Sequence, residues 1–380
     1  MKRYILPVMM AILALAACNE KEDPIDNPEP GPEPVYETVT EFTEPQDIFG
    51  FQPAKRYAYC PAIVENGDGT SHVYFCGNPQ AGRFVDNIYH IVVDADGKHD
   101  SVDDVLQPGK AGTWDSFHTC DPSVIQGEFK MAGESYKYAM FYLGIDTGDC
   151  LGNEVGVAFS NSLDATTWVK YPDVLIPFPT DHSSYWGVGQ PSAVSLDKKG
   201  KVLLTYTEGY KMTTVKYEIL DMSDMDNFTR GEVKSIPLAG IVTTNGIRDV
   251  ANNADVAVNL EKDVIVMVRD VHPNPTTAPN FISGRVEVVS MKFSDFLEGK
   301  GTWTQICYIS KKFTGYARNH NAGLSRDSYG YIADPEHPCI YYTISLADKE
   351  ASAPYEWTYH IWRTQWITHE VEVKPENKPE

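Results

Sequence analysis

The chain has 380 residues, 42% of them hydrophobic and 12% aromatic, and its 32 Lys and Arg against 53 Asp and Glu leave a formal charge of −21. Such a composition buries a large core, which excludes global disorder. The excess of acid excludes a phosphate-backbone partner such as nucleic acid, whose affinity rests on Lys and Arg. No run of 18 or more apolar residues occurs beyond the N-terminus, so a multi-spanning membrane protein is excluded as well. What remains is an aromatic-rich body suited to an uncharged partner.

In chain order, the first element is a sorting signal. Lys2 and Arg3 form a positive start, and Ile5 to Ala17 form an apolar stretch too short to span a bilayer. Leu15-Ala16-Ala17-Cys18 resembles the lipobox of bacterial lipoproteins, which implies cleavage before Cys18 and lipidation of that cysteine. Asn19-Glu20-Lys21-Glu22-Asp23 resembles the export tag of surface lipoproteins, so the expected location is the outer face of a bacterial outer membrane. Residues 24–37, rich in Pro, Glu and Asp, read as a stiff solvated tether. The expected division is a signal peptide at 1–17, a tether at 18–40, a β body at 41–372 and a polar tail at 373–380.

Cys60, Cys76, Cys120, Cys150, Cys307 and Cys339 follow Cys18, with no C-x-x-C spacing to suggest a thiolate zinc site. Cys60 and Cys76 lie on consecutive expected strands and could pair, or Cys60 could be a buried free thiol.

Short strand-like runs punctuated by Gly, Asp, Asn and Pro dominate the body. Five segments share one layout: a small polar residue or cysteine, then Pro or Ala, then a short β run, a turn and a second strand. They begin Cys60-Pro61-Ala62, Asp121-Pro122-Ser123, Gln190-Pro191-Ser192, Asn253-Ala254-Asp255 and Asn321-Ala322-Gly323. The second strands are placed at 72–76, 137–143, 202–207, 264–268 and 340–344, and third strands at 87–94, 155–160, 214–221, 284–291 and 357–365. From Pro61 to Ala322 the spacings are 61, 69, 63 and 68 residues. In-phase repetition predicts an all-β, five-bladed β-propeller of four-stranded antiparallel blades, whose radial arrangement protects sheet edges. The competing architecture is a pair of β-sandwiches.

If the motif opens the innermost strand of each blade, Cys60, Asp121, Gln190, Asn253 and Asn321 converge on one rim. The antiparallel second strand returns to that rim and adds Glu208, Arg269 and Asp270. Trp114, Tyr185 and Trp186 are expected to wall a polar funnel there. Aromatic faces cover the C–H surfaces of polyols, and Asp, Asn, Gln and Arg bond their hydroxyls.

Over roughly residues 45–370 the sequence resembles the five-bladed propeller glycosidases, the group of arabinanases, β-xylosidases, invertases and mannoside phosphorylases. The resemblance is carried by His118-Thr119-Cys120-Asp121-Pro122-Ser123-Val124-Ile125, by the strand at 137–143, and by Val155-Gly156-Val157-Ala158-Phe159-Ser160. Ser162-Leu163-Asp164 and Trp168 look like that group's Ser-x-Asp turn before a Trp, with Ala165 where Gly is usual; the Asp is expected to close the turn. The xylosidase-like members open their first three inner strands with carboxylates. Here Cys60 and Gln190 stand at the first and third of those positions, and only Asp121 is kept.

An inverting glycosidase needs two carboxyls, one protonated and one ionised. The candidates on the expected rim are Asp121, Glu208, Asp249, Asp255 and Asp270. The expected catalytic pair is Asp121, as base or orienting carboxylate, with Glu208 as acid. Gln190, Asn253, Asp255, Arg269, Asp270, Asn321, His320, Trp114 and Trp186 are the expected substrate-binding residues. Arg248-Asp249 and Arg269-Asp270 read as substrate clamps or, more readily, as ion pairs within the fourth unit. His320 matches the place of a channel histidine in arabinanase-like relatives, but no metal and no cofactor is expected.

The functional expectation is a surface-anchored glycoside hydrolase-like protein acting on a neutral glycan, with other glycan-uptake proteins as partners. A non-catalytic glycan-binding lipoprotein and a protein-binding propeller are the alternatives. No G-x-S-x-G, P-loop, H-E-x-x-H or post-strand G-x-G-x-x-G competes.

Overall fold

A computed structural model describes residues 2–5, 36–51, 55–178, 184–277, 280–335, 337–346 and 355–372. Cys18 and the lipobox, most of the tether and the tail at 373–380 lie outside the described residues. Among the described residues the chain is nearly all β, and no helix is long and apolar enough to cross a membrane.

The described strands form four hydrogen-bonded sheets. One runs His118–Met131, Glu134–Ile145, Glu154–Ser160, Val169–Lys170 in order, each strand antiparallel to the next. Its opening hairpin turns on Ala132 and Gly133, at φ 51° and 86°. That is the left-handed pair a two-residue turn needs to match strand twist. The next sheet starts Gly187–Ser195, Lys201–Tyr210, Met212–Asp221, and the next runs Asp255–Asn259, Val264–Asp270, Arg285–Lys292, Thr304–Ser310.

The largest sheet has 10 strands and joins the two ends of the body. One half is Ala58–Glu65, Ser71–Gly77, Asn87–Val93 and Asp103–Leu106. The other is Asn319–Arg326, Cys339–Ser345 and Tyr359–Glu372 with chain from the N-terminal side. The halves meet through a parallel contact, Ser325 against Ile63 and Arg326 against Val64. Gln46–Phe49 and Tyr36–Phe42 both pair with Tyr359–Glu372, and Lys2–Ile5 pairs with the outer side of Tyr36–Phe42. Residues 36–40, expected in the tether, are therefore strand: pairing with the long last strand captures a segment whose composition alone reads as solvated.

The core lies between neighbouring sheets. Phe141 and Phe159 pack with Val188 and Leu204 across one interface, and Leu203 and Tyr217 pack with Val256 and Met267 across the next. Packing from both sides explains the unbroken burial of Ser71–Gly77. Each fully buried aromatic or branched aliphatic side chain contributes about 1.5–3 kcal/mol. Outer strands such as Val169–Lys170 are short, which limits exposed edge.

Candidate functional site

The five motif residues share an unusual backbone. Cys60, Asp121, Gln190, Asn253 and Asn321 have φ of 52°, 49°, 52°, 47° and 44°. This left-handed conformation is sparsely populated for side-chain-bearing residues. In four inner strands the pairing register breaks at the motif, between Tyr59 and Ala62, Cys120 and Ser123, Gly189 and Ser192, and His320 and Gly323. These are β-bulges, and a bulge re-aims a side chain. Here all five side chains turn toward one axis and line a common pocket.

Hydrogen bonds close the five into a ring. The Cys60 thiol donates to the Asp121 carboxylate, and Gln190 N donates to Asp121 Oδ2 at 3.2 Å. Gln190 Nε2 donates to Asn253 Oδ1, and Asn253 N returns a bond to Gln190 Oε1 at 3.2 Å. Asp270 bridges the next gap, accepting from Asn253 Nδ2 at 2.5 Å and from Asn321 N at 3.0 Å. Asn321 Nδ2 completes the circle, 2.8 Å from Cys60 Sγ. Below the ring, the fully buried Arg326 reaches across the axis to Asp255 Oδ1 (3.2 Å), Val256 O (3.0 Å) and Ser123 Oγ (3.3 Å). The pocket therefore has a floor.

Above the ring lies a cavity of about 560 Å³, walled by Tyr59, Leu143, Trp186, Phe281 and Ile282 and edged by Thr207, Thr213 and Asn252. The carboxylates on its described wall are Asp121 and Asp86. Asp86 accepts from the Tyr57 hydroxyl at 2.6 Å and the Tyr59 hydroxyl at 3.1 Å. Its backbone N–H donates to His118 Nδ1 at 2.8 Å. Nδ1 is thereby an acceptor, so the neutral ring carries its proton on Nε2, 3.8 Å from Cys150 Sγ. Burial lowers the His118 pKa and keeps that ring neutral.

Burial also raises Asp86, against the bonds from its tyrosines. Asp121 is pushed up to about 6 by burial, with the Asp86 charge adding to the rise and the Cys60 and Gln190 bonds opposing it. Asp270 rises to about 7, again by burial. Cys60 is held well above the usual thiol range by burial and by the neighbouring Asp121, so it is a thiol, not a thiolate.

Of the residues expected at the site, Asp121, Gln190, Asn253, Asn321 and Trp186 line the cavity. Asp270 sits behind Asn253 and Asn321 as the ring's bridge. Asp255 belongs to the floor, where Ser192, Leu324 N and Arg326 engage it. Glu208 is not on the cavity wall: Thr207 and Gly209 face in, and period-2 alternation turns Glu208 out to Lys216 at 3.6 Å. Arg269 is no substrate clamp. Its guanidinium is fully buried on Asp249 (2.8 Å), Glu287 (2.6 Å) and three backbone carbonyls. Burial alone would raise Asp249, but bonds from His272 and Arg269 hold it well below the usual carboxylate range.

Trp114 leaves the expected wall as well, stacking on Tyr142 at 5.6 Å over Gly144 and Gly156. Tyr185 packs edge-on against Tyr210. His320 is fully buried, 4.8 Å from the Tyr359 ring, and burial lowers its pKa to about 3. Cys76 pairs with Cys120, not with Cys60. Cys60, Cys76, Cys120 and Asp121 offer ligand atoms within 4.8 Å of one another, yet the disulfide withdraws two sulfurs from thiolate ligation.

Sequence reasoning missed Asp86, His118, Tyr59 and Phe281. His118 stood three residues before Asp121 in the motif, and only that proximity signalled it. Asp86 precedes a third strand, outside any repeated pattern.

No protein-family model matches the chain, and no curated protein sequence matches it. Solved structures do resemble it. Zg3597, a family 117 glycoside hydrolase of the marine bacterium Zobellia galactanivorans, superposes with a TM-score of 0.58 at 11% identity, over 86% of this chain and 90% of that one. An α-L-arabinofuranosidase from Lactobacillus brevis gives 0.55 at 11% identity, over 83% and 92%. The arabinofuranosidase PaAbf62A of Podospora anserina gives 0.54 at 10%, over 84% and 94%. Likeness at such identities is one of fold, and it assigns the sheets to the β-propeller architecture.

Proposed function

We propose that the chain is a five-bladed β-propeller whose axial cavity acts on a neutral oligo- or polysaccharide as a glycoside hydrolase. The five left-handed motif residues and the parallel contact that joins the halves of the largest sheet support the blade count. The observation that carries the activity is Asp121: a ring carboxylate on the wall of an aromatic-lined cavity, with a pKa raised to about 6. Asp86 supplies the second carboxyl. Two tyrosine hydroxyls favour its ionised form, and its charge helps hold the proton on Asp121. Burial raises both carboxyls, and with the charge of Asp86 adding to the rise at Asp121 the pair can divide acid and base roles. Asp121 then donates to the leaving oxygen and Asp86 takes the ionised part.

Trp186 and Phe281 offer faces to sugar C–H groups. Thr207, Thr213, Asn252 and Asn253 bring polar side chains to the same wall, the kind of group that bonds sugar hydroxyls. The test is hydrolysis of arabinan, xylan, galactan and mannan oligosaccharides by the wild type and by Asp121→Asn. General acid–base loss predicts a fall of about 10²–10⁴-fold; activity unmoved by the substitution refutes the role.

A non-catalytic glycan-binding protein is the second reading, favoured by neutral Cys60 and Gln190 on the ring and by Glu208 facing away. Calorimetric binding without product would decide for it. We further read Leu15-Ala16-Ala17-Cys18 as a lipid attachment site that tethers the propeller to the outer membrane, beside other glycan-uptake proteins. Retention of Cys18→Ala in the membrane fraction would refute the anchor.

A further inference from the structure

Away from the cavity, two histidines and a carboxylate meet where the first half-sheet abuts its neighbour. His72 lies in Ser71–Gly77 and His90 in Asn87–Val93, each 3% exposed, with rings stacked 5.1 Å apart. His72 Nδ1 is 2.9 Å from His90 Nε2. Asp164 approaches from the neighbouring sheet, its Oδ1 3.7 Å from His72 Nδ1. All three ligand atoms lie within 4.8 Å of one another.

Asp164 does not close its turn with its carboxylate. Ser160 Oγ and Ser162 Oγ do that work, accepting from Ser162 N and Asp164 N. The Tyr74 hydroxyl then pins the turn by donating to Leu163 O at 2.6 Å. The Asp164 carboxylate is left free to face His72, with its side chain 72% exposed. Burial lowers His72 and takes His90 to about 4, so both rings are neutral near pH 7 and each keeps a lone pair. Asp68, Asp100 and Asp164 surround His72 with negative charge, a field that favours a cation.

We propose that His72 Nδ1, His90 Nε2 and the Asp164 carboxylate form a binding site for a divalent transition metal of the zinc type. Two nitrogens and one carboxylate oxygen are a common zinc set, with water completing the tetrahedron on the open Asp164 side. Zn–N bonds of about 2.0–2.1 Å place tetrahedral ligand atoms about 3.3 Å apart. The present 2.9 Å and 3.7 Å bracket that value. A metal on His72 Nδ1 moves the ring proton to Nε2, which faces the Asn66 amide at 2.9 Å. A flip of that amide presents Oδ1 as the acceptor and holds the ring in its ligating tautomer. Because the ligands come from two sheets, the ion would clip the seam between them.

The test uses the full chain, stripped with chelator and titrated with Zn²⁺ alone, read by calorimetry and thermal melting, with Co²⁺ absorption reporting tetrahedral geometry. Wild type should bind one ion and melt higher as Zn²⁺ is raised, since a ligand of the folded state stabilises it. Asp164→Ala should weaken binding by about tenfold or more while melting like wild type without metal, because the side chain is exposed. His90→Gln should abolish binding. If His90→Gln does not fold, Asp164→Ala still decides. Folded wild type that shows no saturable Zn²⁺ binding, or binding that Asp164→Ala leaves intact, overturns the site.

Discussion

Asp121→Asn should stabilise the protein increasingly as the pH rises, while removing the acid proposed for catalysis. Burial holds the folded-state pKa of Asp121 at about 6, against 3.8 for the unperturbed group. Between those values the folded chain binds the proton more tightly than the unfolded chain. The stability that Asp121 contributes is therefore fully present below 3.8 and lost as the pH climbs through about 6. At about 1.4 kcal/mol per pH unit the full loss is roughly 3 kcal/mol, of which about 2 falls between pH 4 and pH 8. Asparagine does not ionise and still offers Oδ1 to the Gln190 N–H. Any fixed cost of the amide beside Cys60 cancels from the pH dependence, and so does the parallel titration of Asp270. Urea unfolding of both proteins at several pH values measures the gap. It should widen by about 2 kcal/mol in favour of the variant from pH 4 to pH 8. A gap that stays flat, or narrows as the pH rises, would show that Asp121 is not a buried, proton-holding carboxyl.

Glu208→Gln should leave glycan hydrolysis or binding within about twofold of wild type and stability within about 0.5 kcal/mol, since it breaks only a half-exposed pair with Lys216; a large loss of activity would return Glu208 to the cavity. Arg326→Met strips the floor of its cation and leaves the partly buried Asp255 facing only Ser192 and Leu324 N. It should cost about 3–5 kcal/mol by urea unfolding, and a cost under about 1 kcal/mol would refute a structural role for the plug.

Repetition made the architecture legible. A polar residue before Pro or Ala recurs at Pro61, Pro122, Pro191, Ala254 and Ala322, and the residues before these turn to one pocket. The second and third strands fall close to their expected places, as with 202–207 inside Lys201–Tyr210 and 155–160 inside Glu154–Ser160. Side-chain direction was the weak point. A strand end can reach the rim while a given residue on it faces away, and one step of parity separates Thr207 from Glu208 and Asp270 from Arg269. The left-handed backbone at the motif was equally hidden, because Cys and Gln carry no local signal for φ near 50° and Asp and Asn only a weak one. The disulfide joins Cys76 to Cys120 across two sheets, so pairing by neighbouring strands in sequence missed it. Asp86 and His118 act through each other, and only the folded chain brings them together.

The pairing of Gln46–Phe49 with the strand that ends at Glu372 has a kinetic side. Ile361 and Phe49 are neighbours in the finished sheet yet lie more than three hundred residues apart along the chain. During synthesis, at about 5–20 residues per second, the early strands are made long before their partner exists. Until residue 372 has emerged, the last sheet cannot assemble, and Gln46–Phe49 and Ala58–Glu65 each wait with an unpaired edge. The sheets between them rest on local hairpins and need no such delay. The slow, late event in folding this protein should be the meeting of its two ends, and in that interval its exposed strands are open to the wrong partner.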